Sequence, residues 1–264
     1  RVNVFDWHRE FAEIMKAGGF DAVIGNPPYI RIQTLKEWAP DEVEHYKNHY
    51  QAAAKGNYDI YVVFVERGLR LLNPQGKLGF ILPHKFFNAQ YGAALRGLLS
   101  RGRQLSSIVH FGDQQVFDGA TTYTCLMFLD KQGCDSCWYI KIDDLKEWRD
   151  NRRARDRDIP AKTITAGEWN FGVGDGVRIF AKLQKLPTKL LDVAETMGQG
   201  IRTSANEVYV LDLISSKGDQ LTVHSKQLGR DIKIERAMTL PFLQGRKIKS
   251  YRILHSEKLV LFPY

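Results

Sequence analysis

Apolar and polar positions alternate in two regimes along this chain. Residues 6–17 have the mixed spacing of a short helix. Residues 22–24, within Phe20-Asp21-Ala22-Val23-Ile24-Gly25, read as a short buried strand that ends in glycine. Residues 32–56 are long, polar and aromatic, a stretch of the length that carries function or helices of its own. Residues 58–72 place Ile60, Phe64 and Leu69 at helical spacing, and Asn73-Pro74-Gln75-Gly76 then stops the helix and turns the chain. A buried strand is predicted at 77–82, a helix capped by Asn88 and running to about Ser100, and a strand at 106–111. Residues 123–129 and 138–142 look like an antiparallel pair across the turn at 131–136.

Beyond this α/β alternation the pattern changes. In residues 143–158, Arg149, Arg152, Arg153, Arg155 and Arg157 are interspersed with Asp150, Asp156 and Asp158. That is the signature of a solvated helix or linker with local ion pairs. From about Thr163, short β-rich segments and glycine turns take over: a helix at 177–186 closed by Pro187, then strands at 208–211, 220–223 and 258–262. The division expected is an α/β domain over residues 1–160 and a smaller α+β portion over 161–264.

Composition narrows the partners. At 264 residues and 44% hydrophobic content the chain can bury a sizeable core, and 38 Lys+Arg against 30 Asp+Glu give +8, the sign that suits a polyanion. Cys125, Cys134 and Cys137 are an odd, low count, which argues for a reducing, cytoplasmic setting. Cys134-Asp135-Ser136-Cys137 has no second pair to complete a zinc site, so it reads as a turn and no metal is expected. No apolar run approaches the ~18–20 residues that cross a bilayer, and the charged first dozen residues are no signal peptide. The chain starts without methionine and stops at Phe262-Pro263-Tyr264, which reads as a piece of a longer protein.

The candidate chemistry sits in Asn26-Pro27-Pro28-Tyr29. Two prolines fix φ and remove two backbone donors, leaving a stiff turn with outward carbonyls. The Asn26 amide and the Pro27 carbonyl can then converge as acceptors on one amino group, Pro28 keeps the turn rigid, and Tyr29 offers a flat face. Such a turn suits a planar base with an exocyclic amino group. Accepting both amino hydrogens favours a pyramidal nitrogen whose lone pair is free for an electrophile.

This tetrapeptide resembles the fourth motif of the amino-group DNA methyltransferases, Asp/Asn-Pro-Pro-Tyr. Gly56-Asn57-Tyr58-Asp59-Ile60-Tyr61 through Phe64 is similar to their fifth motif, and Leu71 through Pro83 to the sixth, with Lys85-Phe86-Phe87 after it. Phe111-Gly112-Asp113 through Val116-Phe117, then Thr121-Thr122-Tyr123-Thr124, is similar to the eighth. Gly198 through Thr203 and Pro241 through Ile248 resemble the target-recognition part of type IIG and BREX-type enzymes. The ordered set resembles the N6-adenine enzymes of restriction–modification and phage-defence systems.

The resemblance implies the C-terminal half of a Rossmann-like, S-adenosylmethionine-dependent methyltransferase sheet, followed by part of an α+β target-recognition domain. It implies direct methyl transfer to an adenine flipped out of double-stranded DNA, with Phe117 as a second aromatic beside the base. Asp59 either borders the cofactor pocket or caps its helix. Arg202 and Thr203, and the cluster Arg246, Lys247 and Lys249, fall where the family contacts DNA, most simply at phosphates. Restriction or defence-system subunits are possible partners. The family's glycine-rich cofactor loop lies upstream of its fourth motif, and only 25 residues precede Asn26 here, so a fragment of low activity is expected. Phe171-Gly172-Val173-Gly174-Asp175-Gly176 is a weak substitute, since no apolar strand leads into it. Two alternatives remain: a methyltransferase for protein glutamine or RNA, and a non-enzymatic DNA-specificity module.

Overall fold

The computed structural model describes residues 5–54, 56–117, 123–198, 201, 203–245 and 256–262. Two short helices, α1 (Trp7–Glu10) and α2 (Ala12–Lys16), replace the single one expected, with the break at Phe11. They lead into β1 (Phe20–Gly25). The long polar stretch carries α3 (Ile32–Trp38), α4 (Pro40–His49) and a 3₁₀ turn at Gln51–Ala53. Then come α5 (Tyr61–Leu71), β2 (Leu72–Pro83), 3₁₀ turns at His84–Phe87 and Gln90–Gly92, α6 (Ala93–Arg101), β3 (Leu105–His110), β4 (Thr124–Asp130) and β5 (Ser136–Lys141). Helix α7 (Leu145–Asn151), β6 (Arg155–Pro160) and α8 (Asp175–Gln184) follow.

These strands form one mixed sheet in the order β1-β2-β4-β3-β5-β6. β1 runs parallel to β2, and β4 lies antiparallel between β2 and β3. β3 runs parallel to β5, which pairs antiparallel with β6. Asn73–Gly76 bulges out of register at the start of β2, where the Asn73 side chain accepts from the Gln75 amide at 2.9 Å. This is the turn chemistry read from the sequence, placed at a strand entrance.

Three expectations are corrected. The segments at 123–129 and 138–142 do not pair with each other. β3 lies between them, because the loop after β4 hydrogen-bonds across the start of β3, with Cys134 N donating to Arg103 O at 2.8 Å. Asn88 is not the N-cap of α6: it ends the 3₁₀ turn at His84–Phe87, a second 3₁₀ turn at Gln90–Gly92 follows, and α6 begins at Ala93 with Gly92 as its N-cap. Residues 155–158 are not helical but the edge strand β6, whose Arg/Asp alternation has the period of a strand. The ion pairs expected there do form, Arg155 with Asp143 at 2.6 Å and Arg153 with Glu147 at 3.0 Å, all exposed.

The core lies where α5 and α6 cover the sheet, around Tyr61, Val65, Leu78, Leu82, Leu95, Ile108 and Met127. Glu66 of α5 is buried, and its carboxylate accepts from the amides of Gln51 (3.2 Å) and Ala52 (2.8 Å) and from Arg70 (2.5 Å). A buried charge is stable only when so partnered. The compact unit extends to Leu186, since Ile164, Trp169 and Val173 belong to its core. The change of pattern along the sequence puts the start of the second domain between about 160 and 190.

The second unit, Pro187–Tyr264, holds α9 (Leu190–Val193), α10 (Asn206–Tyr209) and a five-stranded antiparallel sheet. Its strands are β7 (Val210–Lys217), β8 (Gln220–Ser225), β9 (Arg230–Glu235), β10 (Thr239–Pro241) and β11 (Lys258–Leu261), in the order β10-β11-β7-β8-β9. Leu211, Leu221, Val223 and Leu259 form its small core. The α/β unit followed by an α+β unit is the class expected from the sequence. No helix among the described residues is long and apolar enough to cross a membrane.

Candidate active site

Asn26-Pro27-Pro28-Tyr29 leaves the carboxyl end of β1, the position at which open α/β sheets bind ligands. Pro27 is buried, Asn26 and Pro28 are exposed, and Tyr29 is half-buried. The chain beyond the turn is pinned to the segment before α5. Ile32 N donates to Tyr58 O and Ile60 N to Ile30 O, both at 2.9 Å, around a bridge between Arg31 and Asp59. The fourth and fifth motifs of the resemblance are thus one structural piece.

The Tyr29 hydroxyl organises the turn. It lies 2.8 Å from Asn26 Oδ1 and 3.1 Å from the carbonyl oxygen of Ile81 on β2. A phenol has one proton, so it serves one of these two acceptors at a time. Burial, with the Cys125 thiol nearby, pushes its pKa up to about 12, so it stays a donor at neutral pH. Its ring meets Tyr61 edge-on, with centroids 6.4 Å apart, and Tyr61 shares a 2.9 Å hydrogen bond with Tyr91.

Tyr29 forms one wall of a cavity of about 610 Å³, bounded also by Arg31, Asp59, His84, Lys85, Asn88 and Tyr123. Asp59 makes no side-chain cap on α5, whose first turn has none, so the capping alternative is overturned. Asp59 lines the cavity instead, and burial raises its pKa against the opposing pull of Lys85 and Arg31. Phe117 is half-buried and does not line this cavity. Tyr123, from the same motif, does, with its ring 15° from the plane of His84. Tyr123 and Lys85 fall within the motifs visible in the sequence, and nothing in the sequence marks His84 or Asn88 as wall residues.

Of the basic residues expected at DNA, Arg202, Arg246, Lys247 and Lys249 lie outside the described residues. Thr203 is described, and its hydroxyl bonds the Asn206 side chain at the start of α10. No cluster of metal-ligating side chains occurs among the described residues. Nor do the described residues fit a nucleotide-type glycine loop. Gly172, Gly174 and Gly176 follow no strand, Val173 is buried in the core, and Gly174 at φ 72° simply starts α8.

The chain is similar in sequence to known restriction–modification proteins. The Eco57I restriction-modification methylase family matches residues 1–117. The Escherichia coli type II restriction enzyme and methyltransferase RM.Eco57I is 30% identical over 93% of this chain. Residues 1–117 are thus similar to the Eco57I restriction-modification methylases. This segment holds the Tyr29 turn and all of the cavity walls named above except Tyr123. The Geobacillus stearothermophilus type II methyltransferase M.BstVI is 25% identical over 98% of the chain. The chain spans 25% of the length of RM.Eco57I and 46% of M.BstVI. The solved type IIG restriction endonuclease BpuSI superposes on 74% of this chain and 26% of its own, at 13% identity and TM-score 0.44.

Proposed function

We propose that this chain carries the base-binding half of a DNA adenine N6-methyltransferase of a restriction–modification system. The observation that carries the proposal is the Asn26–Tyr29 turn at the carboxyl end of β1, its tyrosine hydroxyl on Asn26 and its ring in a walled cavity. A flipped adenine enters that cavity and stacks on Tyr29, an interaction of about 1–3 kcal/mol. Asn26 and the Pro27 carbonyl accept the two hydrogens of its amino group. When the base arrives, the Asn26 amide rotates so that Nδ2 donates to the Tyr29 hydroxyl. That hydroxyl then donates to Ile81 O, and Asn26 Oδ1 is freed for the substrate. All three groups are satisfied in this state, whereas without the rotation two acceptors compete for one proton.

The methyl donor we propose is S-adenosylmethionine, which supplies an activated methyl group when bound. Asp59 borders the cavity on the side of α5. Double-stranded DNA is the proposed partner, held by Arg202, Arg246, Lys247 and Lys249 together with Thr203. Phe117 is kept as a proposed neighbour of the base, and Tyr123, which lines the cavity, is the better-placed aromatic.

The test is nucleoside mass spectrometry of DNA from cells that express the complete reading frame containing this chain. N6-methyladenine that disappears with Asn26→Ala is the expected result. N4-methylcytosine, methylated RNA or protein glutamine, or no methylation would overturn it.

A further inference from the structure

A second cavity, of about 470 Å³, opens beside the first and shares His84 and Asn88 with it. No part of the proposed adenine chemistry uses it. Its inner wall is a closed circuit of four rings. Phe87 meets His110 at 6.0 Å, His110 meets Tyr139 at 5.9 Å, Tyr139 meets Phe171 at 5.6 Å, and Phe171 returns to Phe87 at 5.9 Å. Trp169 backs the circuit, stacked on Phe171 at 5.4 Å and 26°, with its indole N–H held by Thr165 O at 2.8 Å. These rings come from β3, β5, the turn after β2 and the segment before α8, so a sheet fixes the box and no single helix face explains it.

The polar lining has one sign. Lys141 and Asn170 stand at the cavity, and no carboxylate occurs among its described lining residues. His110 Nδ1 accepts from Gly112 N at 3.0 Å, which puts the ring proton on Nε2 and makes that atom a donor. An aromatic box with donors and one cation matches a planar heterocycle that carries an anionic group. The volume lies within the range of small-molecule sites, and a nucleotide fits it.

We infer that this box binds a second nucleotide of the DNA strand, the immediate neighbour of the target adenine, with its base against the half-buried rings of His110 and Phe171, which the buried rings of Phe87, Tyr139 and Trp169 support from behind, and its phosphate on Lys141. The inference rests on reading the Tyr29 cavity as the adenine pocket. Because the two cavities share walls, two adjacent nucleotides can occupy them together. The box then contributes affinity through stacking, which tolerates any base, and helps hold the target extrahelical.

The trinucleotide d(TpApT) tests this with the 264-residue chain, since adenine alone carries an exocyclic amino group and sets the register. 5-(Fur-2-yl)-2′-deoxyuridine, a fluorescent thymine analogue without an exocyclic amino group, replaces either the 5′ or the 3′ thymine as the probe. One of the two probes is expected to be quenched on binding. Phe171→Ala should abolish that quench and weaken binding about tenfold. Lys141→Gln, at a half-buried position outside the hydrophobic core, should keep the quench, weaken binding several-fold and flatten the salt dependence by about 0.7.

If Tyr29→Ala abolishes binding while Phe171→Ala and Lys141→Gln change nothing, the box is no nucleotide site and the adenine pocket stands. If Tyr29→Ala is silent while both box variants weaken binding, the adenine reading fails and the box stands as a nucleotide site. Unchanged binding in all three variants, or none at millimolar trinucleotide, overturns both.

Discussion

At the scale of single residues, the hydroxyl of Tyr29 and the imidazole of His110 make the sharpest predictions. Tyr29→Phe keeps the stacking face and removes the group that holds Asn26. The turnover number of the complete reading frame's product should fall about tenfold, roughly 1.4 kcal/mol, with KM little changed. Tyr29→Ala loses the face as well, and KM should rise with it. Equal losses in the two variants would show that the hydroxyl does not position Asn26. His110 is pushed down to about 4 by burial, by His84 and by Lys141. An unfolded histidine titrates near 6.5, so between these values the unfolded state binds more protons. The stabilising contribution is therefore complete above about pH 6.5 and is lost as pH falls through about 4. Thermal unfolding should show Tm falling by about 5 °C between pH 7 and pH 5, with the slope reduced in His110→Gln. An unchanged slope in the variant would remove His110 as the cause. The Asn26–Tyr29 turn was legible because its chemistry is local, set by two consecutive prolines. Its cavity was not, because Asp59, the turn after β2 and Tyr123 meet only once the sheet has formed.

At the scale of elements, the turns between β2 and α6 connect both cavities to the core. Arg96 of α6 is buried, and its guanidinium donates to the carbonyls of Phe86 (2.5 Å), Ala89 (2.8 Å) and Ala166 (3.1 Å). One side chain thus fixes the segment that carries His84, Lys85 and Asn88 and ties it to the stretch that leads to Trp169. Gly92 permits this closeness. A Cβ there would lie 2.0 Å from Phe86 O and 2.7 Å from Arg96 Nη1, and a backbone atom cannot move aside as a side-chain tip can. Gly92→Ala should therefore cost about 3 kcal/mol in urea unfolding, close to the cost of Arg96→Met, because both orphan the same carbonyls. The double variant should cost little more than either alone, and additive losses would separate the glycine from the arginine. Helices α5, α6 and α8 and the β2 and β3 strands were legible from periodicity. The partner of β4 was not, because alternation marks a two-faced strand without saying which neighbour lies beside it. β6 was obscured by its charges, which hide a period of two behind the composition of a linker.

At the scale of the whole molecule, the first unit ends its sheet on β1, an edge strand among the described residues. Edge strands of natural proteins are shielded by charge, proline or a covering element, because an open row of amides and carbonyls templates association. β1 carries Asp21 as its one charge, and Ile24 is 85% exposed. Phe5, Phe11 and Ile14 are exposed in the segments just before it. Apolar surface of this kind marks a contact in some larger assembly or, in the chain by itself, a route to self-association. Ile24→Lys should therefore lower the self-association of the 264-residue chain in sedimentation velocity, since a lysine on an edge is unfavourable to pairing. The far-ultraviolet circular dichroism and Tm should hold, because Ile24 is outside the core and its side chain already faces solvent. Trinucleotide binding should also be unchanged, since Ile24 lines neither cavity. A monomeric wild-type chain at high micromolar concentration would show that the edge is already protected. Loss of trinucleotide binding in Ile24→Lys would instead show that β1 transmits its packing to the Asn26–Tyr29 turn.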